Sequence, residues 1–369
     1  MRAAIIGAGS LGTIIGALIT RAGKQIDLID TYREHVEALN SNGATITGAV
    51  GLNVPVVALT PDEIAGHYDL VFLLTKQTDN RAMLSKLLAH LHADSIVCTL
   101  QNGIPEHAVA EIVGAERTVG GAVGFGATWI KPGVSSLTSS YDVIKKFAFE
   151  IGEIDGAIRP RLTQVQSYLE CVGATDIRTD LMGLRFSKLL MNTTFSGMSA
   201  ALGCTFGDVL NNSKAMTCLA FVADECIKVA HAHGVHLVEM QGEDFEAFQL
   251  DSASDIPSKM PLYHKIWGKH AALKASMLQD LEKGRETEIR YINGLVSDMG
   301  RERGVATPFN DKIVELVLEA QTRREAGKFE DLVRFDELLS IHSGEPSCLP
   351  GLRPTASAHN NPIRQITGK

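Results

Sequence analysis

Ala3-Ala4-Ile5-Ile6-Gly7-Ala8-Gly9-Ser10-Leu11-Gly12, close to the start of the chain, decides the fold. Four small or β-branched apolar residues predict a short buried strand, and the apolar-periodic stretch from about Leu11 to Ala22 predicts a helix. Between them the glycines follow G-x-G-x-x-G. In a strand–turn–helix setting this pattern reads as a dinucleotide-binding loop. Gly7 permits the tight turn, Gly9 lets the backbone approach a pyrophosphate, and Gly12 lets helix and strand pack closely. The helix N-terminus, at Ser10 and Leu11, offers N–H donors to phosphate. A glycine-rich turn without a ligand is the alternative, and the second strand that follows argues against it.

That second strand, Gln25 to Ile29, ends at Asp30, 18 residues beyond Gly12. An acidic side chain there can accept hydrogen bonds from the adenosine ribose hydroxyls. The cofactor is therefore read as NAD or NADP, with NAD favoured, because a 2′-phosphate would meet Asp30 with like charge unless Arg33 neutralises it. Asp30 could instead cap the helix predicted at Tyr32 to Leu39. Apolar runs at Asp69 to Leu74, Ser95 to Leu100 and Thr118 to Val123 read as strands buried on both faces, with a helix from Asn80 to His92. Alternating strands and helices imply a parallel, doubly wound sheet. Gly124 to about Gly156, rich in Gly, Ser and Thr, is expected to add edge strands.

After about Ile177 the pattern changes to long amphipathic stretches, Leu181 to Leu202, Ser213 to Ala232 and Lys274 to Arg303. The fold class is thus α/β: an N-terminal Rossmann-type doubly wound sheet over residues 1–178, followed by an all-α C-terminal domain over 179–338. An irregular C-terminal tail occupies 339–369. Residues 240–265, with Gly242 and two prolines, read as a loop near the cleft between the domains.

Of the 369 residues, 45% are hydrophobic and 21% charged, which is ordinary for a folded protein and excludes wholesale disorder. A net charge of −8 would repel a phosphate backbone, so nucleic acid is not an expected partner. Six scattered cysteines with no C-x-x-C pair suit reduced thiols and a cytoplasmic setting. Glycines interrupt the apolar stretch Ala3 to Leu18, so neither a signal peptide nor a membrane span is expected there.

In an open α/β sheet, ligands lie outside the carboxyl ends of the strands, and Lys76 and Asn102 fall on that edge. Each could also be a loop residue satisfying local backbone groups. In the second domain, Lys188, Asn192 and Ser196 recur at i, i+4 and i+8 on an otherwise apolar helix. The stripe could simply face water. The flanking Phe186, Leu189, Leu190, Met191 and Phe195 leave little outward face, however, so Lys188 is expected to be partly desolvated and usable as a proton donor near neutral pH. Ser276 and Glu288 lie about 120° apart on a continuous helix, and Gly284 should break it, so only the tertiary fold could bring them together. Glu288 could equally stabilise the first turn of a helix starting near Thr287. The triplet His231, His233, His236 is not read as a metal site, because i and i+2 face different sides of a helix and Gly234 ends it, and no metal is expected. With neither G-x-S-x-G nor H-E-x-x-H in the sequence, a hydrolase lacks its nucleophile.

Taken together, the glycine loop, Thr75-Lys76, Gln101-Asn102-Gly103, Lys188 with Asn192, the block Lys274-Ala-Ser276-Met-Leu-Gln-Asp280, Thr287-Glu288-Ile and Tyr291-Ile-Asn-Gly294 resemble the ketopantoate reductase family. These are the NADP-linked 2-dehydropantoate 2-reductases and related NAD-dependent D-2-hydroxyacid dehydrogenases, and the resemblance covers roughly residues 1–325. It implies nicotinamide-dependent reduction of a small 2-oxo acid to the 2-hydroxy acid. By this resemblance Lys188 donates the proton and Glu288 supports that lysine and the substrate hydroxyl. Asn192 and Ser276 hold the substrate, with Ser196 where the family usually carries a second Asn, and Lys76 and Asn102 lie where nicotinamide and substrate meet. The basic residue that typically follows the second strand is replaced by Asp30-Thr31. A bulkier 2-oxo acid and an NAD-linked dehydrogenase are the alternative within the family, and a non-catalytic dinucleotide-binding regulator the alternative outside it. A homodimer is compatible with either.

Overall fold

The computed structural model describes residues 1–240 and 242–343. β1 (Ala3–Ile6) is fully buried and lies between two parallel neighbours, β2 (Ile26–Ile29) and β6 (Tyr68–Leu73). Its residues alternate between two cores. Ile5 packs with Leu28, Phe72, Cys98 and the helix residues Ile14, Ile15 and Leu18, whereas Ala4 and Ile6 pack with Val71, Val97, Leu84 and Val109 on the other face. Helices cover both faces, so the strands carry apolar residues at successive positions rather than at alternate ones.

β3 (Ala44–Gly48), β4 (Leu52–Val54) and β5 (Val57–Leu59) come next in the chain, and β7 (Leu91–Thr99) and β8 (Thr118–Val123) follow β6. β9 (Ala127–Lys131), β10 (Val134–Leu137), β11 (Phe149–Gly152) and β12 (Thr175–Arg178) complete the strands. The main sheet has the order β12-β11-β8-β7-β6-β1-β2-β5, all parallel except that β11 runs antiparallel to β8. The Gly/Ser/Thr-rich stretch does not simply extend this sheet. Only β11 joins it, between β8 and the edge strand β12. β9 and β10 instead pair with β3 and β4 in a separate four-stranded sheet, where Val134 on β10 lies opposite Thr45 on β3. That small sheet packs on the helix Ser10–Arg21, and this explains why Gly12 through Ile19 are all buried, leaving no water-facing side along that stretch.

The helical part begins with Leu181–Met191, continues as a five-residue π-helical turn, Asn192–Ser196, and resumes as an α-helix, Gly197–Leu202. The helices Ser213–Ala232, Asn293–Arg303 and Pro308–Arg323 pack around it. Residues 240–265 differ from the expected cleft loop. Phe245, Phe248, Leu250 and Ile256 are core residues, and Ile256–Trp267 is a helix that accepts Pro257 in its first turn, where no backbone N–H is needed. Trp267 stacks on Phe195 with ring centroids 4.7 Å apart, so burial of aromatic area overrides the turn-like composition. The stretch Lys274 to Arg303 is broken as Gly284 predicts, into the helices Ser276–Glu282 and Asn293–Arg303. The helix Asp336–Ser343 runs past the expected start of the tail at 339, and the rest of that tail lies outside the described residues. No described helix is long and apolar enough to cross a membrane.

Candidate active site

The carboxyl ends of β1, β6 and β7 open onto the helical part, and the glycine loop forms one wall of the cleft. Gly7 adopts φ 95°, and a Cβ there would meet the Thr75 backbone nitrogen at 2.6 Å, so only glycine fits. Its N–H and that of Ala8 donate to the Ile29 carbonyl at 2.8 and 3.1 Å, holding the turn against β2. A Cβ on Gly12 would overlap the Gly7 carbonyl, whereas one on Gly9 would meet nothing within 4 Å. Gly9 thus borders open space at the N-terminus of the helix Ser10–Arg21, which carries no side-chain cap and leaves its first N–H groups to a ligand. This cradle fits the pyrophosphate of a dinucleotide. The sequence reading missed His35. Gly133 donates to its Nδ1 at 2.9 Å, which leaves Nε2–H to donate to the Ala8 carbonyl at 2.7 Å and brace the loop from behind. Asp30 accepts the Tyr32 N–H at 2.9 Å through Oδ1, an Asx turn that fixes its direction and leaves Oδ2 available. Arg33 lies near Glu63, whose carboxyl it helps hold below its usual range after the Thr60 hydrogen bonds.

Across the cleft, Lys76 forms an ion pair with Asp280 at 2.8 Å and donates to the Glu286 carbonyl at 2.7 Å. Gln77 donates its backbone N–H to Glu288 at 3.0 Å and its side-chain amide to the Asn102 carbonyl at 2.6 Å. Gly103, at φ 79°, leaves no room for a Cβ beside the Tyr291 carbonyl. The sheet-edge residues Lys76 and Asn102 are therefore joined to Asp280 and Glu288 in one interdomain cluster. Burial raises the Glu288 carboxyl, and the Gln77 N–H and then Lys76 oppose that rise.

Lys188 stands on the helix Leu181–Met191, partly buried, and its Nζ donates to the Val123 carbonyl at the end of β8 at 2.6 Å. Its pKa is lowered to about 7, first by loss of water and second by the positive charge of Arg185, while Glu150 pulls the other way. Asn192 and Ser196 are partly exposed, and the residues between them are buried. The Asn192 amide nitrogen is buried without a partner among the described residues. The π turn that carries it has identifiable causes. Thr194 Oγ1 donates to the Leu190 carbonyl at 2.7 Å, and the Asn293 amide donates to the Thr193 carbonyl at 2.9 Å, so carbonyls freed by the wider turn find other donors. Ser276 is exposed at the first position of the helix Ser276–Glu282. No hydrogen bond or ion pair joins Lys188 to Glu288 among the described residues. Each belongs to its own cluster, Glu288 with Gln77 and Lys76, Lys188 with Val123, Arg185 and Glu150.

Arg185 and Glu106 were not foreseen. Their side chains are 1% and 0% exposed and ion-paired, and Arg185 also donates to the carbonyls of Gln101 at 2.8 Å and Thr99 at 3.2 Å. One guanidinium thus ties the helix carrying Lys188 to the loop carrying Asn102. A charged residue amid Leu184, Phe186 and Leu189 was the only signal in the sequence. The histidine triplet behaves in two ways: His233 turns away to bond the Met299 carbonyl at 3.0 Å, as helical spacing implies, but His231 and His236 meet.

Two sequence families match, Ketopantoate reductase PanE/ApbA over residues 3–148 and Ketopantoate reductase PanE/ApbA C terminal over residues 180–321. The 2-dehydropantoate 2-reductases of Archaeoglobus fulgidus and Pyrococcus horikoshii are each 27% identical, over 86% of this chain and 96% of theirs. Among solved structures, D-mandelate dehydrogenase in complex with NADH superposes with a TM-score of 0.72 at 26% identity, covering 88% of this chain and all of that one. The ketopantoate reductase from Ralstonia eutropha gives 0.74 at 21% identity, over 88% of this chain and 99% of its own. With a glycine cradle, a lysine on the facing helix and family matches to both domains, the chain belongs to the ketopantoate reductase family, nicotinamide-dependent oxidoreductases that act on a CH–OH group.

Proposed function

We propose that this chain reduces a small 2-oxo acid to the 2-hydroxy acid, with Lys188 as proton donor. The observation that carries the reading is a partly buried lysine whose pKa, near 7, leaves it half protonated at neutral pH beside a site wall that also presents the unpartnered Asn192 amide. When bound, the nicotinamide supplies the hydride. The backbone of Gly7, Gly9, Ser10, Leu11 and Gly12 holds the pyrophosphate, Asp30 the ribose, and Lys76 and Asn102 the end where the nicotinamide and substrate meet. Lys188 delivers its proton to the carbonyl oxygen as negative charge develops there, which a partly dry, preorganised cation stabilises more strongly than water does. Asn192 and Ser276 hold the substrate, and Ser196 completes that wall with a shorter reach than an amide would have. Glu288, set by Gln77, orients the substrate hydroxyl. The described cysteines are free thiols, which suits a cytoplasmic enzyme.

Ketopantoate is the substrate that the curated relatives favour. A bulkier 2-oxo acid with NADH is the second reading. It is supported by the small side chain of Ser196, by Asp30 and by the likeness to D-mandelate dehydrogenase with NADH. Turnover measured against ketopantoate and aromatic 2-oxo acids, with each cofactor, separates the two. Lys188→Ala should lower turnover about 10² to 10³ fold while NADH affinity, read by fluorescence, barely moves. A variant that keeps more than about half the wild-type turnover would make Lys188 structural and refute the mechanism.

A further inference from the structure

We propose that His231, His236 and Glu246 form a binding site for a transition-metal dication of the zinc type, on the far side of the segment that backs the Lys188 helix. His231 lies in the last turn of the helix Ser213–Ala232. Gly234, at φ 74°, then turns the chain back so that the His236 ring comes to 4.8 Å from the His231 ring. Glu246 arrives from the following loop and completes the group. Its carboxylate oxygens lie 2.8 and 3.0 Å from His231 Nε2, and Oε1 lies 3.6 Å from His236 Nδ1. All three donor atoms fall within 4.8 Å of one another.

Two imidazoles and a carboxylate are a zinc-type donor set that leaves one position open. Donors at about 2.0 to 2.1 Å around a tetrahedral ion stand about 3.3 Å apart, so small rotations of these side chains suffice. The carboxylate is already directed by a second contact, since the Leu237 N–H donates to Glu246 Oε1 at 2.6 Å, the outer-shell support that metal carboxylates commonly have. His236 is 81% exposed on its side chain, which provides an entry path. The backbone between the ligands reaches the proposed proton donor's helix. The His236 carbonyl oxygen lies 2.6 Å from where a Cβ on Gly183 would be, and Val238 donates its N–H to Ser187 Oγ at 2.8 Å. A bound ion would therefore fasten the segment that supports Lys188 from behind.

Zinc chloride titrated calorimetrically into the chelator-treated full chain should bind at one equivalent with micromolar or tighter affinity and raise Tm by a few degrees. Cobalt(II) should give visible absorption of tetrahedral type. His231→Ala with His236→Ala, and separately Glu246→Gln, should each weaken binding at least tenfold, while His233→Ala should leave it unchanged. Absence of stoichiometric binding, or binding that persists in the double histidine variant, overturns the proposal.

Discussion

The two walls of the cleft are made of different material. On the proposed cofactor side the groups on offer are backbone N–H groups and missing side chains, concentrated between Gly7 and Gly12, with Asp30 the main side-chain candidate. On the proposed substrate side they are side chains, Lys188, Asn192, Ser276 and Glu288, tied to the sheet edge by contacts such as Arg185–Glu106 that span 79 residues. A cradle of backbone is specified by local sterics and tolerates drift in neighbouring side chains. A cluster of side chains is specified by the whole fold, and fails when a remote anchor does.

The strongest way to break this comparison is through that anchor. Arg185→Leu leaves Glu106 charged and buried, which should cost about 3–5 kcal/mol in urea denaturation. Arg185→Leu with Glu106→Leu should recover most of that loss, because a dry apolar pair replaces a dry ion pair, yet turnover should stay reduced. A single variant as stable as the wild type would mean that the two walls are not joined at this point.

Asp30 tests the other wall, because it is the side chain proposed to read the ribose beside a largely backbone cradle. NADH should be preferred, and Asp30→Ala should narrow or reverse the preference by about 5 to 150 fold in kcat/KM, equivalent to about 1 to 3 kcal/mol. A wild type that clearly favours NADPH would place Arg33 or another cation over Asp30.

The smallest effect sharpens the side-chain wall. Lys188 must be protonated to donate, so reduction should decline as pH rises through about 7, while the reverse oxidation, which needs the free amine, should rise over the same range. Glu150 raises this pKa, so Glu150→Gln should move the reductive limb to lower pH. A pH profile that is flat between 6 and 8 would remove Lys188 as the donor.

What could be read in the sequence follows the same division. The glycine loop, β8 and the helix Ser213–Ala232 are local patterns, and the structure bears them out at the expected residues. β3 and β4 were illegible because Ala44–Val54 is short, interrupted by Gly and Asn, and partly exposed, and β3 depends on a partner at Val134. The helix Ile256–Trp267 was hidden by its prolines, whose penalty a buried aromatic cluster outweighs. Lys188 stood out because a lysine on an apolar helix is locally odd. Its acceptor, the Val123 carbonyl, and the Gln77 contact to Glu288 exist only once the sheet edge meets the helices.

The π turn Asn192–Ser196 amounts to one residue more than an α-helical path between Lys188 and Gly197 requires. Each residue of an α-helix rotates the next by about 100°, and the wider turn absorbs the surplus, so the helix resumes at Gly197 close to its former phase. Deleting one threonine here would restore regular backbone pairing and leave Lys188 and Ser196 at i and i+7, within about 20° of a common face, while removing the wide turn that follows Asn192. The surplus residue thus leaves the helix in phase on both sides and changes only the width of the turn between Lys188 and Gly197.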